Sequence, residues 1–305
     1  VTAPSSETPG NLRVFDTAPE AARDFDISDP ELLRMLESSQ GEHFWFPARN
    51  RQIVAFLRSE GLRPPARVLE VGCGSGTVLS ALAAAGFDAT GLEMHRELAR
   101  RAAVAVPRAA VFSANVFAPP AELVARGPFD AVGFFDVLEH LEAAETVLRA
   151  TASLLAPGGR LVGTLPALDI LWSDYDAFAG HRLRYDRRRV AALFGRAGLP
   201  APRAAYFFQA LVPGLLIRRA LVGRGRAGAE GNTDARRRAQ HRALDAPGGV
   251  ANALFAAACS VERGIRRVVP IDRVPGASLW FSVRVDDPAR FREERPPTGR
   301  TGGGS

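Results

Sequence analysis

Short apolar runs alternate with longer amphipathic stretches through the middle of the chain. VLEV, Val68 to Val71, is too short for a helix and runs straight into Gly72, Gly74 and Gly76, so it reads as a buried strand ending in a turn. A helix over about Thr77–Ala85 follows, then a second apolar segment (FDATGL) that closes on Glu93, and a helix over His95–Val106. The same reading gives strands at Ala109–Ser113, Phe129–Phe135 and Arg160–Thr164, the last after a Pro-Gly-Gly turn. Asp186 caps a helix running from Arg187 to Gly198. Two more strands, Ala204–Phe208 and Ser278–Val285, are separated by about seventy residues.

These elements divide the chain. Residues 1–30 are weakly patterned and read as a loose arm, with one or two helical turns at Leu32–Leu36. Residues 31–66 form a helical cap, in which Ile53, Val54, Phe56 and Leu57 make an apolar stripe and Gly61 ends the helix. Residues 67–205 are the core. Residues 206–277 are an insertion that opens on YFFQALVPGLLIRRALV, passes through a Gly/Arg segment to Arg242 and ends in a helix over about Val250–Val269. That insertion reads either as a lid over an apolar substrate or as a segment lying on a surface. The last strand lies in 278–290, and 291–305 (ending GRTGGGS) read as a flexible tail.

Glycine at 72, 74 and 76 suggests a turn that cradles a ligand, because a Cβ would obstruct either a positive φ or the approach of the ligand. The following helix aims its first amides at the same place. Glu93 stands where a nucleotide-binding βαβ unit carries the acid that accepts from ribose hydroxyls. A dinucleotide fingerprint, however, needs its last glycine where this chain has Thr77, and Glu70 beside a pyrophosphate would add repulsion. A sulfonium ligand with a free amino group tolerates an acid there. EVGCGSG followed by Glu93 resembles motif I and the second-strand acid of class I S-adenosylmethionine-dependent methyltransferases. FFDVLEHLE resembles the segment after the fourth strand in the ubiquinone-biosynthesis O-methyltransferase-like bacterial group.

The resemblance implies an α/β, Rossmann-like, seven-stranded and mostly parallel sheet with an antiparallel last strand, helices on both faces, an N-terminal helical cap and a helical insertion before the last strand. It implies S-adenosyl-L-methionine as cofactor, held around Phe46, Arg49, Glu70, Gly72, Cys73, Gly74, Gly76, Glu93, Met94, Asn115, Val116, Phe135, Asp136 and Val137. Asn115 stands where family members commonly have Asp, and its amide oxygen can still accept. His140 and His181 are candidates for removing a proton from an acceptor hydroxyl, and Trp172, Tyr175 and Tyr185 for contacting the acceptor. Each has a structural alternative: an imidazole satisfied by a neighbouring acid such as Glu139, or a loop anchored by Tyr185. A non-methylating enzyme of the same fold and an NAD-dependent oxidoreductase are the other readings.

Composition narrows this further. With 47% hydrophobic residues, the chain has the content of a globular protein. The net charge of +6 lies largely in Arg218–Arg242 and HRLRYDRRR, with few aromatics interleaved, so no nucleic-acid partner is expected. Cys73 and Cys259 have no metal-ligand spacing, and the five histidines form no H-x-x-x-H pair, so no metal is expected. Without a secretory signal or an apolar run of about twenty residues, the expectation is a cytoplasmic enzyme with no transmembrane span. A peripheral membrane contact stays open, and oligomeric state is not read from the sequence. The apolar insertion and the aromatic cap point to a small-molecule or lipid-linked acceptor, with secondary metabolism as the setting.

Overall fold

The computed structural model describes residues 9–15, 43–222, 248–266 and 268–291. The helical turns expected at Leu32–Leu36, the Gly/Arg segment as far as Arg242 and the C-terminal GRTGGGS lie outside the described residues. One sheet holds β1 (Leu12–Val14), β2 (Arg67–Val71), β3 (Asp88–Glu93), β4 (Ala110–Ser113), β5 (Phe129–Phe135), β6 (Leu155–Pro166), β7 (Arg203–Phe207) and β8 (Ser278–Val285), in the order β1-β4-β3-β2-β5-β6-β8-β7. Only β8 runs against the others, paired antiparallel to both β6 and β7.

All seven expected strands are present, and the count is eight because Leu12–Val14 adds a parallel edge strand to β4. Its three residues carry little periodicity. What holds them is tertiary: the Asn11 side-chain amide donates to the carbonyls of Ala103, Val106 and Ala109 at 2.8 to 3.2 Å.

Strand alternation sorts the side chains onto two faces. In β2, Leu69 and Val71 join the cluster formed with α5 (Ala144–Ala152) and α7 (Arg187–Arg196), while Val68 joins the cluster on the opposite face. That opposite face is covered by α1 (Trp45–Ser59), α2 (Thr77–Ala84) and α3 (Arg96–Ala105), through Ile53, Leu57, Leu79, Leu82, Ala99 and Ala102. Glu70 shares a face with Val68, so the same alternation carries a carboxylate into the interior beneath α1. The chain winds outward from β2 through β3 and β4, then crosses to β5 on the other side of β2. The β2/β5 boundary is therefore the switch point at which open α/β sheets bind ligands, beyond the carboxyl ends of their strands.

The insertion leaves and rejoins the sheet at that same edge, where Phe207 pairs with Ser278. Its described helices, α8 (Val212–Val222) and α9 (Gly249–Ile265), complete a third apolar cluster with Phe44, Trp45 and Phe56 of the cap and Trp280 of β8. Phe44 stacks on Phe255 at 5.3 Å between ring centres, and the Phe44 amide donates to the Asn252 side chain. Buried Glu262 accepts from the amides of Phe208 (2.7 Å) and Ala210 (2.9 Å), which fixes the left-handed turn at Phe208, φ +61°. Replacing Glu262 by Ala strands these donors and is expected to cost about 2 to 3 kcal/mol, read as a lower urea midpoint with an unchanged m-value; an unchanged midpoint would show that the turn does not depend on Glu262.

Candidate active site

The site begins at the turn after β2. Gly72, Gly74 and Gly76 all have positive φ (72°, 54° and 89°), but their surroundings differ. A Cβ on Gly72 would lie 2.8 Å from the Val137 side chain, and one on Gly76 would lie 3.0 Å from Ala102 of α3. Gly74 alone faces open space. Of the three expected to let a ligand approach, Gly72 thus lets the turn meet the segment after β5, Gly76 lets α2 pack on α3, and Gly74 presents its backbone outward.

Glu93 ties this turn to β3. One carboxylate oxygen accepts from the Gly74 amide at 2.9 Å and the other from the His95 amide at 2.8 Å. The Cys73 side chain turns inward against Gly91, so this residue offers the crevice its backbone; burial first, then Glu70 and Glu93, pushes its thiol well above the ordinary range. Glu70 is also buried, and its Oε2 has no hydrogen-bond partner among the described residues. Burial raises its pKa well above the usual carboxylate value, against the pull of Arg49 and with the help of Glu93.

Across the switch point, β5 ends in Phe135 and the left-handed Asp136, φ +59°. The Phe135 ring folds back over Gly133 into the sheet face rather than into the crevice. Asp136 accepts from Arg49 at 2.5 Å and from the Thr164 hydroxyl at 3.3 Å. Arg49 thus meets a carboxylate of the protein itself, and its guanidinium lies over the Trp45 ring (4.6 Å) and near the half-buried Phe46 (5.7 Å). Farther along the crevice Met94 is exposed, Asn115 accepts from the Phe117 amide at 3.0 Å, and Val116 packs on the core.

His140 and His181, forty-one positions apart, come together with ring centres 4.8 Å apart. The backbone laces their loops: the Arg182 amide donates to the Glu139 carbonyl, and the Arg182 guanidinium to that of His140. The Nδ1 of His181 is hydrogen-bonded to Asp176 at 2.8 Å, while its Nε2 faces Glu139 at 3.9 Å. Although His140 as a residue is exposed, desolvation of its ring among the packed loops, and then His181, lowers its pKa below the usual imidazole range. Tyr175 packs edge-on against His181, its hydroxyl raised to about 12 by burial and by Asp136. Trp172 is half-buried just before α6 (Asp174–Phe178). Tyr185 differs from the expected acceptor contact: it is a core residue whose hydroxyl donates to the Leu138 carbonyl, because the Arg182–Tyr185 loop needs an anchor beneath it.

Two residues of this cluster were not candidate site residues from the sequence, where Glu139 stood only as an acid that could satisfy an imidazole. Glu139 is fully buried, and neither of its oxygens has a hydrogen-bond partner among the described residues; the only signal was an acid inside an apolar run, VLEHL. Asp176 accepts from Ser173, His181 and Arg184 together. Burial works against its charge, but the hydrogen bond from His181 and the charge of Arg184 outweigh it and hold the carboxyl at about 2. Because that pKa lies below the unfolded value of ~3.9, the stabilisation is complete above that value and is lost as pH falls toward 2. Asp176→Ala is expected to cost about 3 to 5 kcal/mol near neutrality, with the gap to wild type narrowing below pH 4; a gap that stays constant with pH would show that the charge is not what stabilises.

The sequence pattern described as the methyltransferase domain matches residues 42–201. Among curated relatives, the chain is similar to the ubiquinone biosynthesis O-methyltransferase of Xanthomonas axonopodis pv. citri (strain 306), 35% identical over 121 residues, which make up 39% of this chain and 49% of that protein. The chain thus spans about half the length of the curated relatives it matches first. Among solved structures, it is similar to phosphoethanolamine N-methyltransferase 2 of Haemonchus contortus (13% identity, TM-score 0.47, covering 78% of this chain and 53% of that one). It is also similar to magnesium protoporphyrin IX methyltransferase of Synechocystis PCC 6803 (20% identity, TM-score 0.47, covering 60% and 90%). The domain pattern runs from the cap to the end of the α7 turn, covers just over half of the protein, and by it the chain belongs to the methyltransferase domain family.

Proposed function

We propose that this protein transfers a methyl group from S-adenosyl-L-methionine to a hydroxyl on a small or lipid-like acceptor, as a cytoplasmic enzyme of secondary metabolism. The observation that carries the cofactor reading is the buried Oε2 of Glu70, without a hydrogen-bond partner among the described residues, beside a glycine turn whose Gly74 faces open space. A ligand ammonium would satisfy that oxygen, and a bare backbone admits the ligand's close approach. The names of the curated relatives, ubiquinone biosynthesis O-methyltransferases, support a hydroxyl as the acceptor group. Among the described residues, no helix is long and apolar enough to cross a membrane.

When bound, the cofactor supplies a sulfonium methyl open to in-line displacement, and the protein's part is to bind, orient and exclude water. Glu70 would hold the ammonium, Glu93 would accept from the ribose hydroxyls alongside its two amide donors, and Asn115 with Val116 would meet the adenine. Phe46 and Met94 would close over it, and Asp136 would keep Arg49 and the cap in place. The acceptor hydroxyl would arrive from the side of His140 and His181, with Tyr175 and Trp172 shaping its approach.

Two measurements test this reading. Labelled methyl is expected to pass from cofactor to a hydroxylated acceptor, while label retained as substrate is consumed would overturn the assignment. Because bound ammonium requires Glu70 ionised and burial raises its pKa, S-adenosylhomocysteine affinity should fall by up to about tenfold per pH unit below that raised value and level off above it. In Glu70→Gln the slope should vanish, and an identical slope in both proteins would remove Glu70 from the site.

A further inference from the structure

We propose that Glu139, His140 and His181 form a binding site for a divalent first-row transition-metal ion, and that this ion receives the acceptor oxygen. The site rests on the donor set itself; its role in catalysis rests on the methyl-transfer reading above.

One ligand atom from each residue lies within 4.8 Å of the others. Glu139 brings two carboxylate oxygens that are buried and have no hydrogen-bond partner among the described residues, a costly arrangement unless something else occupies them. His181 is already oriented as a ligand. Asp176 takes its Nδ1 as a hydrogen-bond partner, which directs the Nε2 lone pair toward Glu139. The resulting 3.9 Å spacing is too long for a hydrogen bond but fits two ligands of one ion at about 2.0 to 2.2 Å each. A carboxylate behind a metal-binding imidazole is the usual device for fixing its tautomer and ring plane. The atoms lie within 4.8 Å of one another, against ~3.4 Å between two ligands of a four-coordinate ion with bonds of ~2.1 Å, so the exposed His140 ring turns inward by more than an ångström to complete the set.

Local charge agrees. The guanidiniums of Arg49 and Arg184 are committed to Asp136 and Asp176, so among the described residues an ionised Glu139 has no arginine paired with it. Asp136 is held by Arg49 and Thr164 and is not counted among the ligands. Two imidazoles and one carboxylate suit zinc, manganese, iron or cobalt better than magnesium or calcium, and three protein ligands leave a position open. An acceptor hydroxyl bound there would be acidified, its proton leaving to solvent, and its oxygen would take the methyl group while the sulfonium sulfur keeps the electron pair of the broken bond. On this account the two histidines act as ligands rather than as bases.

The full chain, stripped of metal by dialysis against a chelator, should bind one Co2+ per chain with visible absorption typical of mixed nitrogen and oxygen coordination. Glu139→Gln, which keeps the shape of the side chain, should weaken Co2+ by about a hundredfold or more, and His140→Asn, at an exposed position, should weaken it without loss of fold. S-adenosylhomocysteine binding, measured on the same samples, should persist in both variants. No saturable Co2+ binding, or equal binding in wild type and Glu139→Gln, would overturn the metal site while leaving the cofactor reading intact. Saturable Co2+ binding by a protein that does not bind S-adenosylhomocysteine would uphold the site and overturn its assigned role.

Discussion

The hydrogen bond from the Gly74 amide to the Glu93 carboxylate joins two strand ends that would otherwise be independent loops. With the Gly72 and Cys73 amides donating to the Leu92 carbonyl, it fixes the turn after β2 against the end of β3. Everything else at the crevice is placed relative to that junction. The helix that follows starts where Gly76 lets it pack, the segment after β5 lies against Gly72, and Glu70 is left beneath the turn with an oxygen to satisfy. A side chain at Gly74 would fill the space it faces, while one at Gly72 or Gly76 would push packed elements apart. The glycines look alike in sequence yet constrain different things.

A second polar centre lies beyond Asp136, and its logic is one of burial. Asp176 is satisfied several times over and stays ionised, whereas Glu139, equally buried, has neither oxygen hydrogen-bonded among the described residues. Two buried carboxylates in one small region with opposite fates are seldom a packing accident, since an unpaired one is costly to keep. The contrast marks Asp176 as a positioning residue, which orients His181, and Glu139 as a group kept available.

The cap and the described helices of the insertion pack together. Aromatic residues before and within α1 interlock with α8, α9 and Trp280 at the carboxyl edge of the sheet, and Arg49 in the same helix reaches down to Asp136. A shift of the cap therefore reaches the switch point through the Arg49–Asp136 ion pair, and the glycine turn through the hydrogen bond from the Asn50 side chain to the Thr77 carbonyl.

Local pattern sufficed for the strands from β2 to β8, for the glycine turn and for Glu93, because alternation, glycine spacing and the interval to the next acid are properties of neighbouring residues. It also carried His140 and His181 as isolated candidates. Which groups meet was settled only by the tertiary fold. Glu139 reads as a chain neighbour of His140 until the loop holding Asp176 and His181 folds over it, and Tyr185 reads as a loop aromatic until the core closes around it. The edge strand at Leu12–Val14 has too few residues to show a period and exists because Asn11 finds three carbonyls exposed on another element. Periodicity reports which face a residue will bury, but the partner waiting on that face belongs to a distant part of the chain, and only the winding of the sheet brings the two together.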